Sequence, residues 1–181
     1  YFSKLAKDDI FDSKEIVFIK RLLQMELEET LRIKIVDKLF NKYVTNDEIS
    51  FSKELYMNMN QIKYMSSNGM YIGSHGYNHY WLNKLNPEQQ AEEIDLSLQF
   101  LQKIGSSTNQ WVFCYPYGEY NYSLIKILKQ KNCKLGLTVK RKIARLNKEN
   151  AFTLERLDTN DLPKSSSKDA NTWTKKIYKS I

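Results

Sequence analysis

Residues 70–80, MYIGSHGYNHY, decide the interpretation of the fold. Residues 70–73 are short and largely apolar, which is typical of a buried strand, and a polar loop follows at once. This loop contains the only two histidines of the 181 residues, His75 and His79. In parallel α/β folds, functional groups gather in the loops beyond the carboxyl ends of the strands. The histidine pair therefore stands where such a fold places its chemistry.

Downstream of this loop the pattern alternates between helices and strands. Asn86, Pro87 and Gln89 are a strong helix start, because Asn caps, Pro suits the first turn and Gln can bond back to the cap. That helix is predicted to run to Gly105. Strands are predicted at 111–115, 135–139 and 152–157, with a helix from Asn121 and an amphipathic helix over 170–181. Alternation of this kind predicts an α/β fold with a parallel sheet and helical crossovers.

The amino-terminal part is predicted to be helical. Asp12 and Glu15 have capping-box spacing, and apolar residues then recur at helical intervals from Ile16 to Leu39. A polar break follows at 45–48, and a second short helix is predicted from Asn58 to about Gly69. We therefore divide the chain into a helical segment, 1–55, which is an insertion or a lid, and an α/β part, 56–181.

Composition restricts the remaining possibilities. A hydrophobic content of 41% suffices for one core, and no apolar run is long enough to span a membrane. The net charge of +7 is spread along the chain, which favours a solvated basic surface over a nucleic-acid interface. Cys114 and Cys133 form no metal motif and are interpreted as packing residues. Composition settles neither the oligomeric state nor whether the location is cytoplasmic or at a bacterial cell envelope.

Two short segments carry candidate chemistry. Imidazole is the commonest neutral metal ligand, so His75 and His79 could close on one ion, although helices on protein surfaces often produce the same spacing by chance. The second segment is Tyr115-Pro116-Tyr117-Gly118, at the end of the 111–115 strand. Taken alone it is an ordinary turn, in which Pro fixes φ and Gly accepts a positive φ.

Together, in this order and about 40 residues apart, the two segments resemble the polysaccharide deacetylase family, also called carbohydrate esterase family four. The loop at 73–85 is similar to the second motif of that family, and residues 115–118 are similar to its third. Residues 156–161 resemble a late strand-end segment of members from bacterial surface-polysaccharide biosynthesis. The resemblance implies an incomplete, distorted (β/α) barrel, here with a helical amino-terminal segment.

The resemblance also implies a function. The family removes acetyl groups from N- or O-acetylated sugars of a polysaccharide or oligosaccharide, and it uses one divalent metal, usually zinc, bound by two histidines and an aspartate. His75 and His79 are the implied ligands, and the main-chain N–H of Tyr117 is implied to stabilise the oxyanion. The residues expected to line the sugar-binding groove are Tyr77, Trp81, Tyr115 and Pro116.

Three features depart from the family pattern. The opening Thr-Phe-Asp-Asp-Gly motif, which supplies the base and the third ligand, is absent; Asp8-Asp9 is a poor replacement and is more simply a solvated loop. Cys114 stands where many members have an arginine, and no late histidine follows. We therefore expect an amino-terminally truncated or degenerate member with little or no activity as it stands. The alternatives are a non-catalytic carbohydrate-binding relative in surface-polysaccharide metabolism and, less favoured, a basic nucleic-acid-associated protein.

Overall fold

The computed structural model describes residues 1–9, 11–147 and 149–179, which form two compact units, Tyr1–Asn58 and Met59–Ile181. The first unit is helical and the second is α/β. In the described part of the chain, no helix is both long enough and apolar enough to cross a bilayer.

The first unit contains several short helices where the sequence predicted a longer one. Ser13 caps the first long helix by accepting from the Ile16 N–H, so the predicted cap at Asp12 is wrong; Asp12 instead pairs with Lys20. The helix stops at Leu27, where the backbone is extended, and Glu28 caps the next one through its carboxylate. The helices are α1 (Phe2–Leu5), α2 (Lys14–Arg21) with a π-helical turn (Leu22–Glu26), α3 (Glu29–Tyr43) and α4 (Glu48–Leu55).

The strands described in the second unit form a parallel sheet of order β1-β2-β3. These strands are β1 (Trp111–Cys114), β2 (Cys133–Arg141) and β3 (Leu154–Arg156). The predicted strand at 70–73 is not a regular strand. The chain pairs with β1 only at Ser74, whose N–H donates to the Val112 carbonyl at 3.0 Å and whose carbonyl accepts from Cys114 at 2.9 Å. Ser74 therefore brings the histidine loop to the open side of β1.

The helices of the second unit begin where the sequence placed them. Asn86 and Gln89 form a full capping box, and Asn121 and Asn171 cap the two later helices through their side chains. The helices are α5 (Met59–Ser67), α6 (Pro87–Lys103), α7 (Tyr122–Gln130) and α8 (Thr172–Tyr178); residues 180 and 181 of the predicted last helix lie outside the described residues.

The core of the second unit lies where β1 packs against α6 and α7. Alternate residues of β1 and the residue that follows it, Trp111, Phe113 and Tyr115, are fully buried and stack edge to face. Cys133 is also buried, and burial raises the pKa of its thiol to about 12. The Tyr115 hydroxyl donates to the Phe152 carbonyl at 2.8 Å. This bond links β1 to the segment that leads into β3.

Tyr115→Phe is expected to lower the free energy of unfolding of this unit by about 1–2 kcal/mol, because it leaves the partly buried Phe152 carbonyl without its donor. Urea unfolding followed by tryptophan fluorescence measures this unit alone, since Trp81, Trp111 and Trp173 all lie within it. Tyr122→Phe is the matched control, because that side chain is 83% exposed. Equal losses for both variants would contradict the importance of this bond.

Candidate metal centre

The two histidines lie in one tight loop that follows the sheet edge. Ser74 pairs with β1 and His75 comes directly after it, at the end where parallel strands present their loops. The Nε2 atoms of His75 and His79 are 3.1 Å apart, and their ring centroids are separated by 4.8 Å. Both residues are exposed. The structure thus brings together the two imidazoles that the sequence singled out.

A main-chain carbonyl orients His75. Its Nδ1 lies 2.8 Å from the carbonyl oxygen of Cys114. A carbonyl oxygen only accepts, so Nδ1 carries the proton and the neutral ring presents a lone pair on Nε2. Fixing a ligand histidine through its other nitrogen is the usual arrangement at protein metal sites.

His79 completes the pair from a left-handed backbone conformation, with φ of 59°. Such a conformation is unfavourable for a residue with a Cβ, so surrounding contacts must hold it in place. Partial desolvation of the ring lowers the pKa of the His79 imidazole, and the neighbouring His75 acts in the same direction. A lowered pKa favours the neutral ring near pH 7, which is the form that binds metals.

The separation of the two Nε2 atoms fits two ligands of one cation. With metal–nitrogen distances of about 2.0–2.1 Å, nitrogens 3.1 Å apart subtend an angle of about 100° at a shared ion, close to tetrahedral. The same distance also suits an N–H···N hydrogen bond from His79 to His75. A proton between the rings and a cation held by both are therefore the two arrangements that this geometry allows.

An acidic partner for this pair is not found in the described residues. Within 1–9, 11–147 and 149–179, no group of three or more His, Cys, Asp or Glu is placed to hold a metal ion. The acidic pair near the start makes local contacts: Asp8 pairs with Lys14 at 3.1 Å, and Asp9 accepts from the N–H groups of Phe11 and Asp12. The described residues therefore bring two imidazoles together, whereas a catalytic zinc site has three protein ligands.

Polar residues on the buried face of α6 hold the histidine loop. Ser97 accepts from the Ser74 hydroxyl at 2.9 Å and donates to the Ile94 carbonyl. Gln90 donates to the carbonyl of Leu82, which follows the loop in the sequence, at 2.7 Å. Both Ser97 and Gln90 are buried. Neither residue was predicted from the sequence, although polar side chains at core-facing intervals of a helix are a signal for such a role.

Between these two positions on α6, Glu93 binds the loop more directly. Its carboxylate accepts from the N–H groups of Tyr77 and Asn78 and from the side-chain amide of Asn78. The side chain is 4% exposed. Glu93 was also overlooked, because a glutamate within a helix is usually solvated.

The turn after β1 lies against the histidine pair. Tyr117 has φ of 58°, and its ring packs edge-on against His79 at 4.8 Å. The same ring is stacked on Trp81, with ring centroids 4.4 Å apart and an interplanar angle of 10°. The next residue, Gly118, has φ of 75°, and a Cβ there would lie 2.2 Å from a methyl group of Val139. The turn thus positions one predicted site residue beside another.

The predicted sugar-lining residues fall into two groups. Tyr77 is exposed and Trp81 is half-buried, so both have surface to offer a ligand. Tyr115 and Pro116 are buried, and Tyr115 lies in the core with its hydroxyl bonded to main chain. In this structure neither side chain presents surface to a sugar, and the sugar-contacting role of these two residues stays a prediction. An aromatic residue that continues the inward alternation of a buried strand is a core residue.

A cavity of about 370 Å³ lies beside His75. Its wall combines the loop backbone at Gly73 and Gly76 with α6 side chains, including Ser97, Phe100 and Leu101. On the β3 side, the guanidinium of Arg156 reaches the Cys114 sulfur at 3.8 Å and donates to the Thr138 carbonyl at 2.8 Å. The cavity thus borders His75, and Arg156 reaches Cys114, whose carbonyl oxygen binds the His75 ring.

Two imidazoles beyond the strand ends of a parallel α/β unit lie where such folds place their functional groups. Comparison with known proteins identifies the family: the profile described as polysaccharide deacetylase matches residues 39–136, more than half of the chain. The chain belongs to the polysaccharide deacetylase family.

Individual relatives agree with this assignment. The chain is 28% identical to the putative polysaccharide deacetylase YxkH of Bacillus subtilis (strain 168) over 89 residues, which cover 49% of this chain and 32% of that protein. Among solved structures, it resembles the Streptococcus pyogenes deacetylase PplD in complex with acetate, with a TM-score of 0.53, 25% identity, and coverage of 68% of this chain and 57% of that one. The chain thus spans about a third of the first relative.

Proposed function

We propose that this chain belongs to a metal-dependent hydrolase that removes acetyl groups from N- or O-acetylated sugars, with His75 and His79 as two ligands of one divalent metal. Zinc is the favoured metal, because it accepts imidazole nitrogens in near-tetrahedral geometry. The observation that carries the proposal is the 3.1 Å approach of the two Nε2 atoms in a chain of the deacetylase family. The proposed substrate is an acetylated polysaccharide or oligosaccharide.

A bound divalent metal supplies Lewis-acid polarisation of the acetyl carbonyl and lowers the pKa of water. The residues of this chain would hold the metal, orient the histidine rings and bind the sugar. The Cys114 carbonyl keeps the His75 proton on Nδ1, and the lowered pKa of His79 favours its neutral ring. The main-chain N–H of Tyr117 is proposed to donate a hydrogen bond to the oxyanion that forms from the acetyl carbonyl oxygen. Trp81 and Tyr77 are proposed to contact the sugar.

We further propose that the sheet β1-β2-β3 is part of an incomplete (β/α) barrel of the family type. The parallel pairing of its strands and the bridge from Ser74 to β1 support this proposal, because a barrel continues parallel pairing past each edge. The role of residues 1–55 as an insertion or lid stays a prediction.

A second candidate is a carbohydrate-binding relative without hydrolytic activity. It is favoured by one observation: in the part of the chain that the structure describes, no carboxylate joins the histidine pair. Without a general base near the metal, an acetyl group could be bound and not cleaved.

Acetate release from N-acetylated and O-acetylated oligosaccharides, followed by proton NMR with added zinc, tests the proposed activity. We expect release by residues 1–181 to be slow, since no base is present among the described residues, and to disappear on chelation and in His79→Ala. Release that neither chelation nor His79→Ala affects would contradict the proposal. Oligosaccharide binding with no release under any condition would favour the second candidate.

A further inference from the structure

The carboxylate of Glu93 is buried on α6, and among the described residues its hydrogen bonds come from donors of the histidine loop. Oε2 accepts from the N–H groups of Tyr77 at 3.2 Å and Asn78 at 2.9 Å, and Oε1 accepts from Nδ2 of Asn78 at 2.5 Å. Among the described residues, no ion pair includes Glu93. A buried charge is costly unless hydrogen bonds compensate it. Here the compensating groups come from the short segment between the two histidines.

The loop needs this support because His79 holds a left-handed backbone conformation that is unfavourable for a residue with a Cβ, whereas Gly76 adopts it freely. Gly76 has φ of 78°, and His79, immediately after Asn78, has φ of 59°. These two residues lie on either side of Tyr77 and Asn78, whose N–H groups donate hydrogen bonds to Glu93. A conformation that is unfavourable locally persists only when surrounding contacts over-determine it. The carboxylate of Glu93 provides such contacts, because it accepts hydrogen bonds from the backbone of this turn.

Resting on the metal site proposed above, we propose that Glu93 is the positioning residue of the histidine pair: its carboxylate fixes the turn at Tyr77 and Asn78, so that His79 meets His75 at ligand distance. Glu93 touches neither ring and acts through the loop backbone. Removing it leaves His75 bonded to the Cys114 carbonyl and frees His79 to turn away. The expected consequence is weaker metal binding in an otherwise folded unit.

Hydrogen-bond complementarity at Asn78 provides a rescue experiment. Glu93→Leu removes every acceptor. Asn78→Asp places two carboxylates opposite each other, and this pair should repel and open the turn. Adding Glu93→Gln to Asn78→Asp restores the pairing, because the Gln oxygen accepts from both backbone N–H groups while its amide donates to the new carboxylate. A residue needed only for general stability would show no such pairwise recovery.

The measurement is titration of the full chain with Co²⁺, which reports affinity and, through its visible absorption, the ligands around the ion. We expect Glu93→Leu and Asn78→Asp each to weaken Co²⁺ binding by about 10–100-fold and to change the absorption bands, as loss of an outer-shell partner does. The double variant Glu93→Gln/Asn78→Asp should return to within about threefold of the unmodified chain. Glu92→Leu is the matched control, because Glu92 is exposed on the same helix, and it should leave binding unchanged.

The outcomes separate the two proposals. If His75→Ala and His79→Ala lose Co²⁺ while Glu93→Leu binds it with unchanged affinity and spectrum, the positioning role is wrong and the metal site stands. If the unmodified chain takes up no more Co²⁺ than the histidine variants, both proposals fall. Should Glu93→Leu fail to fold, the comparison of Asn78→Asp with the double variant decides, and absence of recovery overturns the role of Glu93.

Discussion

His75→Ala and His79→Ala are each expected to lower the zinc affinity of the chain by more than about 100-fold, since loss of an outer-shell partner alone costs about 10–100-fold and these variants remove a ligand. The physical reason is that a single imidazole competes poorly with water for the ion. The structure predicts that either change acts on binding alone, because both side chains are exposed and contribute little to the core. Isothermal titration with zinc gives the affinities.

Tyr77→Ala is the matched control for the histidine variants. It changes an exposed side chain of the same loop and keeps the backbone N–H that donates a hydrogen bond to Glu93. We expect its zinc affinity to equal that of the unmodified chain and its unfolding transition to match those of the histidine variants. Zinc binding unchanged by both histidine substitutions would remove the basis for a metal centre here.

Gly118→Ala is expected to lower the free energy of unfolding of the second unit by about 2–5 kcal/mol, from left-handed strain and overpacking together. Gly118 has φ of 75°, and an added Cβ would lie 2.2 Å and 2.8 Å from the two methyl carbons of Val139. Urea unfolding with tryptophan fluorescence measures the loss. Since Gly118 follows Tyr117, the turn beside His79 should be disturbed as well.

Gly105→Ala separates strain from packing. Gly105 also has a positive φ, 78°, but nothing lies within 4 Å of an added Cβ. Its loss should therefore be only about 1–2 kcal/mol, the cost of the left-handed conformation. Combining Gly118→Ala with Val139→Ala should recover part of the larger loss. Equal losses at Gly105 and Gly118 would show that the contact with Val139 does not matter.

Elements with strong local signals could be predicted from the sequence. The start of α6 follows from Asn86 and Gln89, whose capping box satisfies backbone donors that would otherwise be unpaired. The strand at β1 follows from its apolar run, and the convergence of His75 and His79 from their spacing in one loop. These signals come from residues close together in the sequence. In each case the tertiary packing agrees with them.

Features that depend on tertiary contacts could not be predicted in this way. The segment at 70–73 has the composition of a strand but makes only one bridge, because pairing depends on its neighbour and not on its own residues. Tyr115 looked like a ligand-facing aromatic until its side of the sheet was known. The role of Glu93 depends on the loop that it binds, and the sequence of α6 carries no sign of that contact. Each case turns on which face an element buries.

Anomalous scattering at the zinc absorption edge, from crystals grown with zinc, tests the metal centre most directly. We expect one peak at about 2.0–2.1 Å from Nε2 of both His75 and His79, with the Nδ1 of His75 still bonded to the Cys114 carbonyl. No peak between the rings, or rings that turn away from each other, would contradict it.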